Sequence, residues 1–159
     1  PGAVLGPVLS KDVGTSAEIV KKILDRELPA IPDLSFAMVD VRDVASAHLT
    51  AMTEPAAAGQ RFVCAIESHS MREVARVLHE HLGPRGYKIP TANLPGFVLR
   101  VVALWDKTAR LAINDLGVRT DVDSTRIRTV LGWQPRSLET MVVDMADSLI
   151  EYGVVAAPK

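Results

Sequence analysis

Three short apolar runs restrict this chain more than any other feature: "AVLG" at 3–6, "SFAMVDV" at 35–41 and "RFVCAI" at 61–66. Each reads as a strand, and the nearly continuous apolar character of "AVLG" and "RFVCAI" suits strands covered on both faces. Helical signals separate them. "TSAE" (15–18) has capping-box spacing, with Thr15 as cap and Glu18 at the third helical position. Ile19, Ile23 and Leu24 follow at helical spacing, so a helix is predicted over 16–27, ended by Leu28-Pro29. After the second run, Val44, Ala47, His48 and Ala51 share one helix face. Asp43 lies in the first turn, where the helix dipole favours negative charge. Strand alternating with helix predicts parallel pairing with helices on the faces.

From residue 70 onward the chain reads as mostly helical. Ser70 and Glu73 repeat the capping-box spacing, ahead of Val74, Val77, Leu78 and Leu82, with Gly83-Pro84 as the stop. "YKIP" (87–90) suits a short extended piece. A helix of about 15 residues is expected from Pro95, carrying Phe97, Val98, Val101, Val102 and Trp105. Asp123 or Ser124 caps a shorter helix with Ile127, Val130 and Leu131. Gly132 then suits a left-handed end, with Trp133 packing back onto Ile127. Ser137 opens a last helix, whose stripe is Leu138, Met141, Val142, Met145 and Leu149. The fold class expected is α/β: a few mostly parallel strands followed by a mainly helical portion, in one domain over 1–159. So few strands make a poor sheet alone, which points to a sheet only partly contained here.

At 159 residues and 48% hydrophobic, the chain is long enough to bury roughly two-thirds of its unfolded surface. The net charge of −1, from 18 basic and 19 acidic residues without long runs, argues against nucleic acid as a partner. No apolar stretch approaches the roughly 20 residues that span a bilayer. A single cysteine, Cys64, excludes an internal disulfide and suits a reducing compartment, so a soluble, cytoplasmic chain is expected.

The residues carry no catalytic constellation. His79 and His81 stand two apart on a predicted helix, about 200° around its axis, and cannot converge on one metal ion. His48 reads as a hydrogen-bonded core histidine, and Cys64 as an inert buried thiol. The glycine fingerprint GxGxxG, a GxSxG elbow and a Walker loop are all missing from the sequence. A Tyr-x-x-x-Lys pair is missing too, since Tyr87 is followed four places on by Thr91 and Tyr152 by Ala156.

Three stretches taken together resemble the C-terminal half of an extended short-chain dehydrogenase/reductase, in the dihydroflavonol-reductase and aldehyde-reductase branch of the NAD-dependent epimerase/dehydratase superfamily. They are "PGAVLGP" (1–7), "MVDVRDVASAHLTAM" (38–52) and "DSTRIRTVLGWQPRSLETMVVDMADSLIEYG" (123–153). The resemblance implies a Rossmann-like fold, with "PGAVLGP" as an interior strand. It places the catalytic Tyr-x-x-x-Lys helix and the glycine-rich cofactor loop upstream of Pro1. An N-terminal dinucleotide-binding half is therefore expected outside this chain.

The resemblance implies that Pro1, Gly2 and Val4 face the nicotinamide ring and carboxamide of NADP or NAD, and that Ser16 is a polar neighbour of the cofactor. Ser16 answers equally to a helix-cap reading. "VDVRDVASAH" and "LGWQPRS" are expected to be structural. Relatives acting on nucleotide sugars often carry an Arg-Asp pair before the second strand, where this chain has Ser35-Phe36-Ala37. An uncharged aldehyde or ketone substrate is therefore expected, with Phe36, Ala37 and Met38 near its pocket or simply in a core strand. Alone, the chain is expected to be inactive, to bind no cofactor tightly, and to self-associate through open sheet edges, as a homodimer for instance. Two other readings stand: a non-enzymatic binding module of the same fold, or half of a nucleotide-sugar epimerase or dehydratase.

Overall fold

The computed structural model describes residues 1–102, 104, 105, 110 and 113–158. Its sheet has the order β1 (Ala3–Leu5), β2 (Ser35–Asp40), β3 (Ser68–Ser70). β1 and β2 are parallel, in the register Ala3–Met38, Val4–Val39, Leu5–Asp40. They are joined through α1 (Thr15–Leu24), the crossover expected of parallel neighbours. β2 and β3 are antiparallel, Ala37 facing Ser68 and Ser35 facing Ser70, so the small sheet is mixed.

Among the described residues the further α-helices are α2 (Val41–Thr53), α3 (Met71–Leu82), α4 (Gly96–Val102), α5 (Thr125–Leu131) and α6 (Leu138–Glu151). α3 and α6 lie against each other. Val74, Leu78 and Leu82 of α3, and Met141, Val142 and Leu149 of α6, are at most 1% exposed. They form the core with Val20 and Ile23 of α1 and Val39 of β2. Removing these side chains from water is the main stabilising contribution here, about 1.5–3 kcal/mol for each large aliphatic. Among the described residues no helix is long and apolar enough to cross a membrane.

Local signals explain most boundaries. The Ser70 hydroxyl accepts from the Glu73 N–H at 3.2 Å, and the Glu73 carboxylate accepts from the Ser70 N–H at 2.7 Å, completing the predicted capping box. The Ser137 hydroxyl caps α6 through the Thr140 N–H. Asp123 accepts from the Thr125 N–H at 2.8 Å ahead of α5, and Gly132 ends that helix at φ +62°. Trp133 and Ile127 share the core as expected.

Four expectations need correction. At α1 the cap is Gly14 in extended conformation, Thr15 is already helical, and the helix stops at Leu24, with Arg26 at φ +60° turning the chain. The "RFVCAI" run is not a strand. Cys64 accepts from the Gly2 N–H at 3.1 Å just before β1, and Ile66 donates to the Met38 carbonyl at 2.8 Å in the middle of β2, so the run reaches both strands instead of laddering along one. His48 is exposed, its Nδ1 bonded to the carbonyl of Val44 in its own helix. In α4 it is Leu99 that is buried, while Phe97 and Val101 are 69% and 49% exposed. The rest of that predicted helix falls partly outside the described residues.

Candidate functional site

Gly2 and Ala37, the one expected on the cofactor side and the other on the substrate side, meet at the start of β1. Gly2 precedes β1 and lies against Ala37 of β2, so closely that a Cβ at Gly2 would stand 2.3 Å from the Ala37 carbonyl oxygen and 3.1 Å from the Ala65 Cβ. Only glycine permits that approach. Its N–H is held by Cys64, so Gly2 would not meet a carboxamide through its N–H. Pro1 is exposed and Val4 half-buried, while Ser16 is half-buried in the first turn of α1.

Phe36 and Ala37 line a cleft of about 180 Å³ together with Ser35, Asp115, Val118 and Thr120. Met38 takes no part in it. At 2% exposure it belongs to the core, the alternative already open for this strand. Asp115 and Val118 belong to a later stretch, so their place beside Phe36 was not visible from local sequence.

At the far end of the two strands lies a polar cluster that sequence reasoning left unassigned. Asp40, fully buried, ends β2 and caps α2. Its Oδ1 accepts from the Arg42 N–H at 2.8 Å and from Nε at 2.9 Å, and its Oδ2 from Nη2 at 2.7 Å. Arg42 also meets Asp144 of α6 at 2.7 Å. Burial alone would raise the Asp40 carboxyl, but the Arg42 hydrogen bonds and charge outweigh it and hold the group below its ordinary value. Gly6, at φ +110°, lies directly over this carboxylate: a Cβ there would be 3.1 Å from both oxygens. The signal was an aspartate immediately before a helical period, which is cap chemistry.

Asp43 is likewise buried and belongs to a different partnership. One carboxylate oxygen accepts from the Arg136 N–H at 2.6 Å, the other pairs with the Arg136 guanidinium, and the Asp43 carbonyl accepts from Trp133 Nε1 at 3.1 Å. Arg128 stacks over the same indole, 5.6 Å from its centre. "VDVRDV" and "GWQPRS" thus fasten α2 to the turn before α6, a tie beyond the strand-to-helix turn and the helix stop expected of them.

No family model matches the chain. It is 28% identical over 158 residues to the NADPH-dependent methylglyoxal reductase GRE2 of Saccharomyces cerevisiae, a match over 96% of this chain and 42% of that protein. A second, uncharacterised oxidoreductase of the same yeast is 30% identical over 157 residues, covering 95% of this chain and 41% of its own length. Among solved structures, yeast methylglyoxal/isovaleraldehyde reductase Gre2 complexed with NADPH superimposes with a TM-score of 0.69 at 28% identity, over 97% of this chain and 42% of that one. The chain spans about two-fifths of the length of the curated relatives it matches.

Proposed function

Since the chain belongs to the extended short-chain dehydrogenase/reductase superfamily, we propose that it forms the substrate-side portion of a nicotinamide-dependent reductase of small, uncharged carbonyl compounds. The contact of Gly2 with Ala37 carries this reading. It brings the segment expected at the nicotinamide end against a residue that lines the cleft, and hydride donor and acceptor have to come within about 3–3.5 Å of each other.

The cleft supports the substrate class. Among the described residues its lining includes no arginine or lysine, and the charged one is the carboxylate of Asp115, which repels a phosphorylated or otherwise anionic substrate. Phe36, Ala37 and Val118 offer apolar surface to a short aldehyde or ketone. The relative named as NADPH-dependent favours NADPH over NADH. Bound NADPH supplies the hydride, and the acid that protonates the nascent alkoxide comes from the portion outside this chain. In this reading Pro1, Gly2 and Val4 wall the nicotinamide end, Ser16 adds a hydroxyl near it, and the isolated chain is inactive.

A chimera tests the proposal: the part of yeast Gre2 that this chain does not match, joined to this chain in place of Gre2's own matched part. Aldehyde-dependent loss of NADPH absorbance, absent with nucleotide sugars, is the expected result. A cooperatively folded chimera that binds NADPH yet consumes none with any small aldehyde or ketone would overturn it.

A further inference from the structure

His69 stands between two carboxylates. Its Nδ1 lies 3.4 Å from Oε1 of Glu73, in the first turn of α3, and its Nε2 lies 4.0 Å from Oε1 of Glu67, just before β3. The imidazole is 14% exposed, the Glu73 side chain 39% and the Glu67 side chain 68%. Glu73 gives only one oxygen to this contact, because its Oε2 accepts from the N–H and the hydroxyl of Ser70 in the capping box. Burial alone would raise the Glu73 carboxyl, but those Ser70 bonds and His69 outweigh it and hold the group below its ordinary value. A neutral imidazole donates from one ring nitrogen and serves one glutamate, whereas an imidazolium donates from both and serves both.

The other charges around the imidazole are already matched. His69 shares a cleft of about 460 Å³ with Arg76 and Glu80 of α3, Arg128 of α5, Arg136, and Glu139 of α6. Arg76 pairs with Glu80 at 3.1 Å, Arg136 with Asp43, and Glu139 with His81 at 2.7 Å, while Arg128 lies over Trp133. The β2 residues paired with β3 are Ser35, Phe36 and Ala37, which carry no charge. Phe36 stands directly opposite His69, and opposed side chains share one face with Cβ atoms about 4.5–5.5 Å apart. Phe36 also lines the cleft assigned above to the substrate.

We infer that His69 is a proton-operated positioning residue for that cleft: charged, it clasps Glu67 and Glu73 together and braces β3 beside Phe36, and neutral, it releases Glu67. Glu67 is the one released because Glu73 stays tied to Ser70. The consequence for substrate rests on the reductase reading. A braced β3 presents Phe36 in one position, and a preformed apolar wall needs less ordering on binding, so the charged form has the lower KM.

An NMR titration of the 159-residue chain from about pH 5 to 8, where histidines change charge, reads the link without any catalysis. The Phe36 and Ala37 amide shifts are expected to follow the His69 ring with one midpoint and to lose that step in His69→Gln. Glu67→Gln leaves the capping box intact and is expected to shrink the step at Phe36 while His69 still titrates. In the chimera with the unmatched part of yeast Gre2, KM for a small aldehyde is expected to rise between about pH 6 and 8. That rise should exceed the one in His69→Gln by roughly two- to fivefold, the scale of a part-exposed ion pair, with kcat equal in the two. Phe36 shifts that ignore the His69 midpoint, or a step that survives His69→Gln, would overturn the inference. So would an unchanged step in Glu67→Gln, which would leave only the ring charge acting through space, or parallel KM profiles. A chimera that reduces no carbonyl while Phe36 tracks His69 keeps the clasp and removes the reductase reading.

Discussion

The carboxylate of Asp43 holds Arg136, 93 residues further along, at two points: the backbone N–H and the guanidinium. Asp43 is 2% exposed, whereas the Arg136 side chain is 40% exposed. Losing the aspartate therefore leaves a half-solvated cation and an unbonded N–H, and losing the arginine side chain leaves a buried anion that keeps one hydrogen bond. Arg136→Ala, which strands the buried anion, is expected to cost about 2–4 kcal/mol and Asp43→Ala about 1–3 kcal/mol. Urea unfolding of the two variants and of the double variant measures both costs and the coupling between them. Strictly additive losses would mean that the two groups act independently.

Gly2 sets the spacing between the first two strands. Gly2→Ala is expected to destabilise by about 3 kcal/mol, because the new methyl meets a backbone carbonyl that cannot rotate away. Gly14→Ala is the control, since nothing lies within 4 Å of its Cβ position. Equal midpoints in urea for the two variants would contradict the close packing at Gly2.

Asp40 predicts a dependence on pH. Its folded value lies below the unfolded one, near 3.9, so its stabilising contribution is complete above the ordinary carboxylate range. That contribution is lost as pH falls through the lower folded value. Thermal transitions recorded from pH 7 down to 3 should drop at the acid end, and Asp40→Asn should flatten that drop while lowering stability at neutral pH. An unchanged acid limb in Asp40→Asn would assign the drop to other carboxylates.

Ser68 is fully buried on β3, and its hydroxyl makes no hydrogen bond among the described residues. Ser68→Ala removes a desolvated polar group and leaves almost no cavity. It should be neutral or stabilising by up to about 1 kcal/mol. A loss above 1 kcal/mol in urea would show that the hydroxyl is satisfied in solution.

What could be read from sequence divides by distance along the chain. The Ser70–Glu73 box lies within four residues, and its chemistry has few alternatives, so helix α3 was legible at its first turn. Gly132 and Ser137 were legible for the same reason. Asp43 was recognisable as a first-turn acid, but its partner 93 residues away was not, because local spacing carries no information about which turn a carboxylate will meet. "RFVCAI" misled because its burial is real, with Cys64, Ala65 and Ile66 all buried, while single contacts to two strands leave the same apolar signature as a ladder along one. Phe36 and Ala37 were nominated for a pocket from a resemblance. Asp115 and Val118, which complete the lining, had no signal of their own.

The turn after β1 is fixed from far away: the Val8 N–H donates to the Ser148 hydroxyl at 2.9 Å, across 140 positions. Ser148 belongs to α6, the last helix described and the one that brings Met141, Val142 and Leu149 into the core. During synthesis, β1 and its turn leave the ribosome well before the helix that holds them. The Val8 turn must therefore wait for its partner for the time needed to translate about 140 further residues, several seconds or more at about 5–20 residues per second. The turn after β1 therefore closes late relative to the pairing of β1 with β2, because its contact spans 140 positions where the strand pair spans about 35.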